Sequence, residues 1–234
     1  MNCGLTGQSA NLGSLWPSVG EWSIRGGCGV NKAVEKRPGR RAEREPEERR
    51  QEILDAATEL FAEHGYSDAG TQTLADRLGV GKGTVFRHFP TKRDLFLAAV
   101  DRVMSRLRDQ VDAAVEGIDD PLGRISTAVR ACLTFFAEHP RYVELIVQER
   151  ALFKDRTKPT YGVYRERNIV RWAELYRQMI GDGRVRDIPP ERIAEVIGDL
   201  IYGTIFTNYF AGRSKPPVEQ ADDILDVVFH GILT

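Results

Sequence analysis

From Pro46 to the C-terminus, apolar residues recur at spacings of three and four, and proline or glycine punctuates the runs. That period turns apolar side chains onto one face of a helix, whereas a strand alternates at two. No alternating run or hairpin turn interrupts it, so the chain is expected to be all-α, with about nine helices. Ile53, Leu54, Ala57, Leu60 and Phe61 form the first apolar face. Pro46, Glu47 and Glu48 suit its first turn and Gly65 its end. Thr71 is placed to cap a short helix that carries Leu74, Ala75 and Leu78 inward. Gly79 and Val80 make a tight turn, and Gly81 to His88 forms a second short helix that Pro90 ends. Thr91 with Asp94 reads as a capping box opening a long helix to about Glu116. Further helices are expected over 121–138, 141–152, 160–181, 190–211 and 218–232, separated at Pro140, Pro159, Gly181, Pro189 and Pro216.

Composition removes several classes of protein. At 234 residues the chain has ample length for a buried core, and 41% hydrophobic with 29% charged residues is ordinary for a globular protein. No apolar run reaches the roughly 18–20 residues of a membrane span. Three scattered cysteines, Cys3, Cys28 and Cys132, make neither a disulfide framework nor a zinc site, which points to a reducing, cytoplasmic setting. Residues 1 to about 40 are rich in Gly, Ser and Asn without a period, and disorder is expected there. Lys32, Lys36, Arg37, Arg40 and Arg41, against Glu35 alone, make either a basic arm reaching DNA or a solvated linker.

Two short helices joined through Leu78-Gly79-Val80 meet the requirements of a helix-turn-helix, whose second helix lies in the major groove. Charge agrees. Between Thr71 and Arg93 stand Arg77, Lys82, Arg87, Lys92 and Arg93 against Asp76, five bases to one acid, or +4 in a chain whose formal total is −1. A basic patch on a mildly acidic body is the footprint of a phosphate-binding surface. Lys82 and Lys92 each fall in a helix's first turn, where a cation opposes the helix dipole and a bound phosphate reverses the penalty.

The stretch Leu74-Ala-Asp-Arg-Leu-Gly-Val-Gly-Lys-Gly-Thr-Val-Phe-Arg-His-Phe-Pro-Thr-Lys-Arg-Asp-Leu95, with Ile53 to Tyr66 before it, resembles the DNA-binding signature of the TetR/AcrR-type transcriptional regulators. The resemblance covers about 46–100, under a third of the chain. It implies a three-helix DNA-binding domain over 46–92, after an extension over 1–45. A larger helical domain for ligand binding and dimerisation would follow over 93–234. By this resemblance Thr71, Gln72 and Thr73 touch backbone or flanking bases. Lys82, Gly83, Thr84, Phe86, Arg87 and His88 face the major groove or its phosphates, and Lys92 holds a phosphate. Many relatives carry Tyr at the position of Phe86, so a phosphate-directed hydroxyl is missing. Arg87 on a solvated face and His88 in a structural role are the plainer alternatives. The implied partners are a pseudo-palindromic duplex DNA, a second copy of the chain and a small apolar or aromatic effector.

The C-terminal helices divide between two tasks. Ile197, Gly198, Ile201 and Ile205, with Ile224, Leu225 and Val228, are expected at a twofold four-helix interface. Glycine inside a helix needs a compensating close approach. The alternative is ordinary core within one chain. Phe135, Phe136, Tyr164, Trp172, Tyr176, Tyr202 and Phe206 are candidates to line an effector pocket, or are simply core. Cys132 reads as a buried small apolar residue. No cofactor or metal is expected. Asp119, Asp120, Asp222, Asp223 and His139 read as caps and helix ends, and no nucleophile elbow, phosphate loop or dinucleotide fingerprint is present, so the chain is not expected to be an enzyme. An activator, a regulator controlled by a protein partner, and a helical small-molecule carrier or enzyme on the same fold are the rivals.

Overall fold

The computed structural model describes residues 40–212 and 215–232, with side chains from Pro46 to Gly231 within those ranges. Among them, nine helices follow in order: α1 Arg40–Asp68, α2 Thr71–Arg77, α3 Lys82–His88, α4 Lys92–Val115, α5 Pro121–Glu138, α6 Arg141–Leu152, α7 Thr160–Gly181, α8 Pro190–Ala211 and α9 Pro217–Ile232. No strand occurs among the described residues. Residues 1–39, including most of the Lys32–Arg41 basic stretch, lie outside them. From Arg40 onward the chain forms one compact unit. One apolar core runs through it, from Ile53 and Phe61 on α1 to Leu225 and Val228 on α9.

Two helix starts differ from expectation. α1 begins at Arg40, so Pro46 lies inside it rather than in its first turn. Proline's fixed φ fits a helix, and the lost N–H bond falls at an exposed position. The N-cap of α2 is Gly70, extended at φ −80° and ψ 130°, and Thr71 is already helical. Other signals read as expected. α1 breaks at Gly65, whose φ of 71° is left-handed. A Cβ there would also meet the Gln148 side-chain nitrogen at 2.7 Å. Thr91 Oγ1 accepts from the Asp94 N–H at 3.0 Å while Asp94 Oδ2 accepts from the Thr91 N–H at 3.1 Å, which completes the capping box. Asp120 caps α5 by accepting from the Gly123 N–H at 2.7 Å.

α4 is the spine. Leu95, Phe96, Ala99, Val100, Val103, Met104 and Leu107 are all buried along it. Its polar edge grips α1. Arg102 donates to both oxygens of Asp55, and Arg106 donates to Asp55, Glu59 and the Tyr142 hydroxyl of α6. Burial, then the hydrogen bond to Glu59, pushes the Tyr142 phenol up to about 12, so it remains a neutral donor across the physiological range. Gln148 of α6 accepts from the Tyr66 N–H just after the α1 break.

The turn between α6 and α7 hangs on one buried acid. Glu149 is 1% exposed and accepts from the Thr160 N–H at 2.9 and 3.1 Å and from the Thr160 hydroxyl at 2.8 Å; Arg156 pairs with it. Removing it leaves a partly buried guanidinium and an N–H without their acceptor. Glu149→Ala is expected to lower unfolding stability by about 2–4 kcal/mol in urea titration. A loss below about 0.5 kcal/mol, the scale of ordinary surface substitutions, would contradict this role.

Candidate functional site

Leu74, Ala75 and Val85 bury the inner faces of α2 and α3. Gly79 makes the turn at φ 62°, and the Val80 N–H reaches back to the Ala75 carbonyl at 3.0 Å. Val80 and Leu78 pack on the core from the angle between the helices. α3 starts at Gly81 with no side-chain cap and no acid in its first turn, and α2 is uncapped in the same way. The first N–H groups of both helices are therefore left to outside partners. Lys82, Gly83 and Arg87 are exposed on α3, Thr84 and Phe86 are half-buried beside them, and the Lys82 ammonium lies 5.7 Å from the Phe86 ring centre. On α2, Gln72 and Thr73 are exposed and Thr71 is half-buried; Gln72 also donates to Asp76 at 2.8 Å. His88 is turned inward: its Nε2 is enclosed and has no hydrogen-bond partner among the described residues.

Folding redistributes the charge that the sequence places here. Arg77 turns back to Glu63 of α1 at 2.7 Å, and that hydrogen bond holds the Glu63 carboxyl below its ordinary range. Arg93 pairs with Asp155 at 2.5 Å and stacks over Phe153. Lys92 donates to the Ser67 carbonyl at 3.0 Å and lies 5.0 Å over the Tyr66 ring, so it braces the α1–α2 junction. Among the described residues, Lys82 and Arg87 are the two cations of the patch that form neither an ion pair nor a hydrogen bond to a backbone carbonyl. The usable positive charge is thus concentrated on α3.

A partly enclosed cavity lies among α4, α5, α7 and α8, with about 870 Å³ of empty space counted out to its open mouth. Tyr164, Trp172, Tyr176 and Tyr202 border it, together with Met104, Leu107, Val129 and Cys132. Phe135, Phe136 and Phe206 do not border it. Phe135 and Phe136 lie one turn past Cys132 on α5, where they pack edge-on with each other and Phe135 meets Tyr142. Phe206 lies one turn past Tyr202 and stacks with Phe210. Sequence reasoning missed Arg108, Arg165, Asn168 and Arg171 on the cavity wall. On α7 the spacing Arg165, Asn168, Trp172 marks one face, but a polar–aromatic stripe reads equally as solvated surface. Burial raises the Cys132 thiol to about 12, so it stays protonated.

The expected interface residues face the other way. Ile205, Leu225 and Val228 are buried in the chain's own core, Ile224 packs on that core, and Ile197, Gly198 and Ile201 border the cavity. A helix that is apolar nearly all round hides which arc faces inward. The outer arc of α8 carries Val196, Leu200, Gly203, Thr207 and Phe210, spaced by four and three; Phe210 is 69% exposed, and Val227 on α9 is 71% exposed. Nothing lies within 4 Å of a Cβ added at Gly198 or Gly203, so neither glycine is explained by a contact inside one chain.

Comparison with known proteins agrees with this architecture. The profile of the tetR family of bacterial regulatory proteins matches residues 53–99, which span the second half of α1 through the first turns of α4. The HTH-type transcriptional activator FasR of Mycolicibacterium smegmatis is 37% identical over 118 residues, covering 49% of this chain and 54% of FasR. This chain therefore matches only about half the length of that relative. The HTH-type transcriptional repressor AcnR of Corynebacterium diphtheriae is 26% identical over 193 residues, covering 76% of this chain and 90% of AcnR. The solved structure of the ketosteroid transcriptional regulator KstR2 of Mycobacterium tuberculosis superposes with a TM-score of 0.58 at 21% identity, over 80% of this chain and 95% of that one.

Gly83 separates stability from binding. It is exposed in the first turn of α3, and nothing lies within 4 Å of an added Cβ. Gly83→Ala is expected to leave the melting temperature unchanged or slightly raised, because alanine is the better helix former. DNA affinity should fall about tenfold or more if this face meets the DNA, because a methyl would then stand between the helix and its partner. Unchanged affinity in fluorescence anisotropy would remove this position from the interface.

Proposed function

We propose that the chain is a transcriptional regulator of the TetR type, a homodimeric repressor released from a pseudo-palindromic operator when a small effector with an apolar or aromatic body fills the cavity. The observation that carries this reading is α3: an exposed face bearing Lys82, Gly83, Thr84 and Arg87, with its two cations outside the ion-pair network that absorbs the neighbouring ones. In the proposed complex the start of α3 enters the major groove, Lys82 and Arg87 contact bases or phosphates, and Gln72 and Thr73 flank them. Lys92 acts mainly by fixing the α1–α2 junction, and a phosphate would add to its bonds. The repressor assignment follows the AcnR match, which extends over nine-tenths of that protein, whereas the FasR match stops at half. Such a protein works in the cytoplasm, beside the chromosome.

One motif spans too few bases for a unique site, and a twofold pair reads half-sites roughly 34–36 Å apart or a multiple of that. The proposed contact between copies is the outer arc of α8 with Val227 of α9. Gly203 at its centre admits a close helix crossing, and Leu200 and Phe210 bury apolar area on either side.

Release follows from the path of α4. Met104, Leu107 and Arg108 border the cavity, and Lys92 at the other end braces the DNA-reading helices. From Lys92 to Met104 the helix rises about 18 Å. Asp55 and Glu59 tie α1 to the same helix. An effector that prefers a shifted α4 therefore favours a different spacing of the two α3 helices, and linkage lowers DNA affinity by the same factor.

The test is a pair of charges on the outer arc. Leu200→Glu/Phe210→Glu should convert the dimer to a folded monomer in analytical ultracentrifugation, and should weaken operator binding by more than about tenfold. A variant that stays dimeric, or a monomer that binds as tightly as the wild type, would overturn the twofold arrangement.

A further inference from the structure

The cavity wall is apolar and aromatic except at Asn168 and three arginines, so its charged groups share one sign. Arg108 of α4 and Arg171 of α7 border it across the α4–α7 seam, Arg165 borders it at the α7–α8 seam, and no carboxylate belongs to the wall. The acids stand behind the arginines. Asp109 pairs with Arg108 at 2.7 Å, Asp112 pairs with Arg171, and Asp199 pairs with Arg165 at 2.7 Å. Each of these arginine side chains keeps about three-tenths of its surface accessible beside its carboxylate. A guanidinium has five N–H groups in a planar fork, and a second oxyanion can join the first.

This arrangement discriminates by charge. A neutral apolar ligand would leave polar donors facing its body, at a desolvation penalty. A quaternary ammonium would gain from Tyr164 and Trp172 but would face like charges at both seams. An acid satisfies both parts of the wall. We propose that the effector is an amphipathic acid, with its apolar body among Met104, Val129, Trp172 and Tyr202 and its carboxylate or phosphate head between Arg108 and Arg171. This rests on the reading of the cavity as the effector site and adds the chemical class. The head also gives the ligand a grip on α4 itself, because Arg108 lies on that helix.

Four probes of one chain length separate the possibilities: dodecanoate, dodecyl phosphate, dodecanol and dodecyltrimethylammonium, each titrated below its micellar range into the full chain by calorimetry. The expected result is that at least one acid binds about tenfold or more tighter than dodecanol, with the ammonium weakest. Which acid wins identifies the head group as carboxylate or phosphate. Arg108→Gln/Arg171→Gln should reduce acid affinity to that of dodecanol, and Arg108→Lys/Arg171→Lys should restore part of it; thermal melting reports whether each variant is folded. Dodecanol or the ammonium binding as well as the acids would overturn the acid assignment and leave the effector site standing. Acid affinity unchanged in a folded Gln variant would overturn the role of these two arginines. Binding of none of the four would overturn the effector site along with it.

Discussion

Asp55 and Glu59 on α1 meet Arg102 and Arg106 on α4, and this clasp ties the helix-turn-helix unit to the helix that walls the cavity. Each pair is partly exposed, so its energetic worth is modest. Geometry matters more. Arg106 reaches two carboxylates and the Tyr142 hydroxyl at once, which joins α1, α4 and α6 at a single side chain. The buried row from Leu95 to Leu107 supplies most of the adhesion, since apolar area removed from water dominates such contacts. The polar clasp fixes register along that row. A second tie, from Gln148 to the Tyr66 N–H, holds the loop leading into α2, and the same Gln148 donates to Glu144, which Tyr209 of α8 also reaches. The helix that faces the proposed partner copy is thus connected to the start of the helix-turn-helix pair.

Electrostatics in this chain works by subtraction. A count of residues makes the segment from Thr71 to Arg93 strongly basic, yet Glu63 and Asp155 neutralise its two ends. What remains is α3, where Lys82 and Arg87 are exposed on a helix without a first-turn acid. In the proposed complex this focuses the charge on the helix that would enter the groove, placing the counterion-releasing contacts where base contacts can follow.

The helical architecture was readable because three-four periodicity and proline–glycine punctuation are local signals. The helices over 121–138, 141–152, 160–181 and 190–211 match those segments residue for residue. The capping box at Thr91 and the break at Gly65 were readable for the same reason. Orientation of wide apolar helices was not. α8 is apolar on the arc toward α5 and α9, on the arc toward the cavity and on the outer arc, so its sequence does not distinguish Ile201 from Leu200. Burial does, and it moves the candidate interface from Ile197, Ile201 and Ile205 to Val196, Leu200 and Phe210. The cavity's extent was equally hidden, because whether Phe135 or Phe206 borders a void depends on where packing stops. Arg108 and Arg171 were missed because arginines on amphipathic helices ordinarily face water.

Sequence-specific recognition by α3 is the claim on which the rest stands. Selection from a random pool of duplex DNA at roughly physiological salt, with the wild type beside Lys82→Ala/Arg87→Ala, tests it most directly. Enrichment of a pseudo-palindromic sequence by the wild type, lost in a double variant with unchanged melting temperature, is the predicted result. Equal enrichment by both proteins, or none by either with equally weak binding, would contradict it.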